Sequence, residues 1–187
     1  MSLFEFLMVL VSIIIGLGIA EILTGIARVI RCRETIQGYW VHFILVIIIF
    51  TALLQQWWEI WGVRVAPEWT FPGLIMMLGG PVGLFLMAHL VFPEPVQGVS
   101  LREYYYGAMR PIWWLGALTV AMATLFRPLV LNQDLLATGN ATSFVLFFGL
   151  IFLATSKNRI LHAVFVPVFL LLILLDVLLV SFSIGQS

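Results

Sequence analysis

Charged side chains are scarce in this chain of 187 residues. Aspartate, glutamate, lysine and arginine together make up 10% of it, while hydrophobic residues make up 63%. Soluble domains carry roughly 25% charged residues, so this composition excludes an ordinary water-soluble protein. The nine acidic and nine basic residues cancel to a formal net charge of zero, which argues against a nucleic-acid partner.

Cysteine and recognisable catalytic motifs are equally sparse. Cys32 is the only cysteine, which excludes an internal disulfide and a metal site built from several cysteines. The sequence contains no glycine-rich phosphate loop, no GxSxG nucleophile turn and no HExxH zinc motif. We therefore expect no metal centre, and the sequence favours a protein that is not an enzyme.

Long apolar runs are what the chain has in excess. A helix needs about 20 predominantly apolar residues to cross a bilayer core roughly 30 Å thick, and a helix is the form in which such a run satisfies its own backbone in lipid. Six runs predict an all-α, polytopic transmembrane bundle that forms one integral membrane domain over residues 1–187. The predicted spans are Phe4–Arg28, Tyr39–Gly62, Phe71–Phe92, Arg110–Leu131, Thr142–Ser156 and Ile160–Ile184.

The basic residues orient these spans through the positive-inside rule. Seven of the nine fall on one side and two, Arg64 and Arg127, on the other. We therefore expect both chain termini on the non-cytoplasmic side, in a bacterial inner membrane. The fifth span is short, but a re-entrant segment there would reduce the split to five against four. The seven residues on the predicted cytoplasmic side are Arg28, Arg31, Arg33, Arg102, Arg110, Lys157 and Arg159.

Ionisable residues within the spans gather at two predicted depths. Each is expensive in hydrocarbon, so each needs a partner or a function. The level nearer the cytoplasm contains Glu21 and Arg28 on the first span, with the three histidines of the chain on three other spans: His42, His89 and His162. Either Glu21 and Arg28 neutralise one another, or this level is a proton-linked or ligand-binding site, since imidazole titrates near neutrality.

The outer level contains two carboxylates, one arginine and neighbouring amides. Thr51, Gln55 and Glu59 repeat every four residues and predict a polar stripe that faces protein. Arg127 lies at a similar depth on the fourth span, and Asp176 interrupts the most apolar run of the chain. Arg127 is the expected partner of Asp176 or Glu59.

Local signals add three expectations. Ser100 and Glu103 have the spacing of a capping box, which predicts a short interfacial helix that carries the tyrosines. Pro81, set among the glycines of residues 79–83, predicts a kink in the third span. Gly16, Ala20 and Thr24 form a small-residue ridge suited to helix packing, against either a neighbouring helix or another subunit.

Three classes of function remain open. The first is a transporter or channel component for an ion, a proton or a small solute, with a pathway lined by charged and polar residues of the spans. The second is an accessory or scaffold subunit of a membrane complex. The third is a redox subunit in which two of the histidines, His42, His89 and His162, hold haem or frame a quinone, although the sequence requires no cofactor. Besides lipid, further copies of the chain or membrane-complex subunits are the expected partners. The pathway residues are Glu21, Arg28, Gln55, Glu59, Arg127 and Asp176.

Overall fold

The protein is helical throughout the part that the structure, a computed structural model, describes: residues 3–65, 69–94, 97–131, 134–135 and 140–179. No β-strand occurs in these ranges; one isolated bridge joins Gln37 to Ser100. The helices are α1 (Leu3–Arg31), α2 (Trp40–Glu59) with a 3₁₀ extension (Ile60–Val65), α3 (Phe71–Leu90), α4 (Leu101–Ala108), α5 (Arg110–Val130), α6 (Ala141–Thr155) and α7 (Arg159–Leu179).

The predicted spans correspond to helices at nearly the predicted bounds. Five of them, α1, α2, α3, α5 and α7, are long and apolar enough to cross a membrane, and α6 is a shorter apolar helix. The prediction of an all-α bundle compatible with membrane insertion is therefore confirmed. The predicted end of the last span, Ile184, lies outside the described residues.

The six long helices form a ring. In order around it, α1 packs against α3, α3 against α5, α5 against α6, α6 against α7, α7 against α2, and α2 returns to α1. In addition, α2 contacts α3 inside the ring. Helix α6 runs antiparallel to α5, because Arg110 at the start of α5 binds the carbonyl of Ala154 while Arg127 near its end binds Asn140. Helix α6 therefore extends over most of the length of α5.

The bundle has two ends of different chemistry. One end, named here the tyrosine end, is formed by the C-terminal ends of α1, α3 and α6, the N-terminal ends of α2, α5 and α7, and the short helix α4. The opposite end is named the carboxylate end, after Glu59 and Asp176, which are joined there through Gln55. Exposed tryptophans occur at both, Trp57 and Trp61 at the carboxylate end and Trp40 and Trp114 at the tyrosine end, as is typical of membrane interfaces.

The outer surface of the ring is apolar along its whole length. Large aliphatic side chains such as Ile13, Leu118 and Leu171 are more than half exposed. Water-soluble monomers rarely expose contiguous apolar area on this scale. Because lipid is as apolar as leucine, burial alone does not drive these helices together, and close packing at small residues has to contribute.

Close packing is densest where α3 meets α5. Helix α3 continues without interruption past Pro81, so the predicted kink does not end the helix. The glycines around this proline let α5 approach: a Cβ at Gly83 would overlap the Thr119 hydroxyl, and one at Gly79 would overlap the end of Met122. Their role in the structure is close helix contact.

The packing glycines of α1 are not those of the predicted ridge. Gly16 has no atom within 4 Å of its ideal Cβ position and is exposed, as are Ala20 and Thr24. The close contacts are made instead by Gly18, against Leu53, and by Gly25, against the Phe92 ring. The predicted ridge therefore faces outward from the bundle.

The short helix α4 lies across the tyrosine end. Its predicted N-cap is confirmed, because the Ser100 hydroxyl accepts a hydrogen bond from the Glu103 amide at 3.4 Å. The preceding segment is held to the loop after α1 by two backbone bonds, Gln37 N–H to the Val99 carbonyl at 3.2 Å and Leu101 N–H to the Gln37 carbonyl at 3.0 Å. These bonds fix where the tyrosines of α4 enter the bundle.

Candidate functional site

At the carboxylate end, Gln55 bridges two carboxylates from different helices. Its side-chain nitrogen donates to Glu59 Oε1 and to Asp176 Oδ2, both at 2.8 Å. An amide NH₂ has two hydrogens, so both bonds can form at once. Gln55 and Glu59 lie one turn apart on α2, and Asp176 projects toward them from α7. The structure thus brings together three of the predicted pathway residues.

Arg127 extends this cluster to α5. Its guanidinium lies 3.6 Å from Glu59 Oε2 and donates to Asn140 Oδ1 at 3.4 Å. The prediction left Asp176 and Glu59 as alternative partners of Arg127, and the structure selects Glu59. Among the described residues, Asp176 is connected to Glu59, and so to Arg127, through Gln55.

Asn140 closes the network at the start of α6. It is buried, and its side-chain nitrogen donates to the carbonyls of Asp134 at 3.3 Å and Leu135 at 3.0 Å. The polar chain therefore joins α7, α2, α5 and the loop before α6. Sequence reasoning did not assign Asn140 to this network, although a polar residue directly before an apolar run is a signal for a helix boundary.

At the tyrosine end, Glu21 and Arg28 do not neutralise one another. Glu21 Oε2 lies 3.5 Å from His89 Nδ1 on α3, and Arg28 donates to Glu94 Oε1 at 2.6 Å. Seven residues along a helix correspond to about 10 Å, too far for a direct contact without bending both side chains. Both pairs are largely exposed between α1 and the end of α3.

The three histidines lie in three different environments. His89 is beside Glu21 on the outside of the bundle, whereas His42 and His162 are buried. His42 has no hydrogen-bond partner at either ring nitrogen within the described residues. Aromatic rings surround it, among them Phe92 and Tyr105 at centroid distances of 6.3 and 6.4 Å.

His162 is held on both sides. Its Nε2 lies 3.0 Å from the carbonyl oxygen of Ser156, and its Nδ1 lies 3.0 Å from the Tyr105 hydroxyl. A carbonyl only accepts, so Nε2 carries the hydrogen; in the neutral imidazole Tyr105 then donates to Nδ1. Tyr105 contacts both His42 and His162 through its ring.

The sequence predicted the interfacial position of the α4 tyrosines but gave them no role. All four tyrosines of the chain meet here. Tyr39 and Tyr106 share a hydrogen bond at 2.8 Å, and Tyr104 donates to the carbonyls of Leu90 and Phe92. The amphipathic character of α4 was the available signal, because it predicts that one face turns into the bundle.

Burial keeps the tyrosines of α4 protonated. It raises the pKa of Tyr105, and the nearby Tyr106 and Tyr39 raise it further. Burial raises the pKa of Tyr106, and so does its hydrogen bond with Tyr39, although Arg159 and Arg102 oppose the shift. The pKa of Tyr104 is raised by burial and then by Glu94. At neutral pH these hydroxyls are therefore hydrogen-bond donors without charge.

A cavity of about 200 Å³ opens between α4, α5, α6 and α7 at this end. Its lining includes aromatic rings, His162 and three cationic side chains. The lining residues are Tyr105, Tyr106, Arg110, Trp113, Leu153, Ala154, Ser156, Lys157, Arg159 and His162.

The described residues include no group of three or more histidine, cysteine, aspartate or glutamate side chains that could hold a metal ion. Comparison of the chain with protein-family models, with curated proteins and with solved structures gives no match. The function has to be argued from the two polar ends of the bundle.

Proposed function

We propose that the protein is a six-span transporter or channel component that moves an ion, a proton or a small solute across a membrane. The observation that carries the proposal is the pair of carboxyl groups that share the Gln55 amide. Each oxygen is 2.8 Å from the same nitrogen, so Glu59 Oε1 and Asp176 Oδ2 are at most 5.6 Å apart. Ionisable groups held together inside apolar helices commonly mark ion or proton pathways.

Among these substrates, the pair favours the proton. Two carboxyl groups that share one amide donor can exchange a proton by small rotations of their side chains. Arg127 lies within salt-bridge distance of Glu59, at 3.6 Å from its Oε2, so a positive charge borders the carboxyl pair. In this proposal a proton passes between the two carboxyl groups beside that charge.

In this proposal α6 is a sixth span, and the tyrosine end is cytoplasmic. The supporting observations are the antiparallel contacts of α6 at both ends of α5 and the distribution of seven basic residues against two. Glu21 and Arg28 belong to the cytoplasmic mouth of the same pathway. The exposed ridge that begins at Gly16 leaves a face of α1 for a further copy of the chain.

The test is proton flux into proteoliposomes loaded with a pH-sensitive dye and driven by a potassium diffusion potential. We expect Asp176→Asn and Glu59→Gln to reduce the flux to that of empty vesicles. Glu21→Gln should reduce it by slowing entry at the cytoplasmic mouth. Glu103→Gln is the matched control, because it also removes one carboxylate but lies exposed on α4, and it should leave the flux unchanged.

Two outcomes would contradict the proposal for a proton. One is wild-type vesicles that take up protons no faster than empty ones. The other is Asp176→Asn protein with wild-type flux, which would show that the carboxyl pair is not on the pathway.

An accessory or scaffold subunit is the second candidate, and dense packing between the two ends favours it. Leu45, Ile49 and Leu53 of α2 are each no more than 1% exposed along three turns of the bundle. A scaffold role predicts a stoichiometric partner that co-purifies in mild detergent, together with no flux. The redox hypothesis has less support, because the Tyr105 ring contacts both His42 and His162 and occupies the space beside each.

A further inference from the structure

Within the described part of the chain, the lining of the cavity between α4, α5, α6 and α7 contains basic side chains and no acidic ones. Arg110, Lys157 and Arg159 line it, and none of its lining residues is an aspartate or glutamate. All three residues are exposed, so water screens their charges in part, but three like charges around one small space still repel one another. An anion in the cavity would remove this repulsion.

The three cations of the cavity have no ion-pair partner among the described residues, unlike two arginines elsewhere in the bundle. Arg28 and Arg127 each have a carboxylate within salt-bridge distance. Within the described ranges, no ion pair involves Arg110, Lys157 or Arg159. Arg110 instead donates through Nε to the Ala154 carbonyl at 2.9 Å. That bond fixes the orientation of its guanidinium beside the cavity.

Aromatic side chains, including His162, make up much of the rest of the lining. His162 is fixed between Ser156 and Tyr105 by two hydrogen bonds of 3.0 Å. Arg159 lies over the Tyr106 ring, 5.6 Å from its centroid, which places its charge at the rim. Since Tyr105 is a neutral hydroxyl, it does not repel an anion. The cavity is thus formed before any ligand enters.

Size and charge favour a phosphate group as the occupant. A volume of 200 Å³ equals that of about seven liquid waters at roughly 30 Å³ each, which is ample for a phosphate and its ester oxygens. Arginine presents a planar fork of donors that matches two phosphate oxygens at once, and lysine adds a compact charge. Chloride is spherical and has no pair of oxygens to match the planar guanidinium fork, so it would use this geometry less well.

The surroundings of the cavity indicate that the phosphate belongs to a lipid. The cavity lies where three apolar helices reach the tyrosine end, at the level expected for headgroups. Large apolar side chains beside its lining residues face outward: Ile160 is 74% exposed, Val164 54% and Phe152 41%. Acyl chains could lie along them while the headgroup occupies the cavity. Basic pockets between membrane helices bind anionic headgroups in this way.

We propose that this cavity is a binding site for the phosphate group of an anionic membrane lipid, bound by Arg110, Lys157 and Arg159. The site goes beyond the transport proposal and is independent of it, because it involves neither Glu59 nor Asp176. A protein that moves no protons could still bind lipid here.

The test is lipid retention by native mass spectrometry. Purified, delipidated full-length protein in neutral detergent is titrated with phosphatidylglycerol, with phosphatidylcholine or with inorganic phosphate alone. We expect a single tight phosphatidylglycerol adduct on the wild type, and an affinity lower by roughly tenfold to a hundredfold in the double variant Lys157→Gln with Arg159→Gln. Phosphatidylcholine should bind more weakly than phosphatidylglycerol, because its headgroup carries no net negative charge.

The control removes the same charge from the same end. Arg31→Gln with Arg33→Gln neutralises two cations at and just after the end of α1 that do not line the cavity, and this double variant should retain wild-type affinity. Lys157→Arg with Arg159→Lys keeps both charges and should also bind. Equal loss in the two double-glutamine variants would overturn the site, since it would indicate only general attraction of anions. Inorganic phosphate that displaces the lipid adduct at comparable concentration would overturn the assignment to a lipid.

Discussion

The close contact of Gly83 with α5 leads to a prediction about stability. An alanine at position 83 would place its Cβ against the Thr119 hydroxyl, with Thr119 Cβ at 3.3 Å and Cγ2 at 3.7 Å. Thr119 is buried, short and β-branched, so it has no flexible end that can move aside. The helices themselves must separate, and overpacking of this kind costs about 1–3 kcal/mol.

A second effect opposes this cost and must be removed by a control. Alanine is favoured over glycine inside a helix by roughly 1 kcal/mol. Gly16→Ala gains the same helix propensity at a position where nothing lies within 4 Å of the new Cβ. The difference between the two variants therefore isolates the packing term, and Gly83→Ala should be less stable than Gly16→Ala by about 1–3 kcal/mol.

Gly79 gives a graded comparison within the same helix. A Cβ added at Gly79 would overlap Cε and Sδ of Met122. These two atoms form the far end of a flexible side chain. Methionine adapts readily to a change of shape, so Gly79→Ala should lie between the other two variants. The order of stability is therefore expected to be Gly16→Ala, then Gly79→Ala, then Gly83→Ala.

The assay is equilibrium unfolding in mixed micelles with rising SDS, followed by tryptophan fluorescence at equal protein concentration. Adding Thr119→Ala to Gly83→Ala removes the overlapping hydroxyl and should recover most of the lost free energy of unfolding. If Gly83→Ala and Gly16→Ala unfold at the same SDS fraction, the inferred contact between α3 and α5 is wrong. A double variant no more stable than Gly83→Ala alone would show that Thr119 is not the obstacle.

Three further measurements address the two ends of the bundle. First, tyrosinate absorbance should rise at higher pH in the native protein than in denatured protein, where the ordinary pKa of 10.0 applies. Above about pH 10 the unfolded state then binds fewer protons than the native state, so the free energy of unfolding should fall with rising pH. Tyr105→Phe should weaken this fall. Identical tyrosine titrations in native and denatured protein would contradict the burial of the cluster. Second, Gln55→Leu should destabilise the protein by about 1–3 kcal/mol, because it leaves two carboxyl groups without their shared donor; unchanged stability would show that the bridge is unimportant. Third, a membrane-impermeant maleimide should label Cys32, the only cysteine, from the cytoplasmic side alone. In a Cys32→Ser background, the same reagent should label Gly62→Cys from the other side alone. The reverse pattern would invert the proposed orientation.

The helices could be predicted from sequence because their bounds follow from solvation. A run of apolar residues must stay helical wherever lipid surrounds it, and polar residues mark where it ends. The prediction began the third span at Phe71 and the fourth at Arg110, and both helices start there. The first helix continues three residues past the predicted Arg28, because Arg31 can extend into the headgroup region without leaving helical geometry.

The pairing of polar residues could not be predicted in the same way. Depth along a helix follows from residue number, but rotation about its axis depends on packing against neighbours. Glu21 and Arg28 share one face of α1, yet each contacts a residue from α3 or the segment after it. At the carboxylate end, depth placed Arg127 near both acids, and only the positions of α2 and α7 decide that Glu59 is the nearer.

The tyrosines of α4 show the same limit at shorter range. Successive residues of a helix point about 100° apart, so neighbours along the chain reach different helices. Tyr104 binds carbonyls at and just after the end of α3, Tyr105 binds His162 on α7, and Tyr106 binds Tyr39 before α2. The sequence predicts the interfacial position of all three, whereas their partners depend on how the ring of helices closes.

The segregation of charge connects the two proposals. By sequence position the tyrosine end holds seven basic residues against four acidic ones, and the carboxylate end holds two against five. A chain of zero net charge is therefore strongly polarised along the bundle. By the positive-inside rule, the excess of cations at the tyrosine end predicts that this end is cytoplasmic, where anionic headgroups are available. Arg110, Lys157 and Arg159 lie at this end and have no carboxylate within salt-bridge distance among the described residues. At the other end the acids outnumber the cations, and there Arg127 lies beside Glu59 while Asp176 is joined to the same cluster through Gln55. If the maleimide experiment places Cys32 on the non-cytoplasmic side, both proposals lose this common electrostatic basis, and each would have to stand on its local contacts alone.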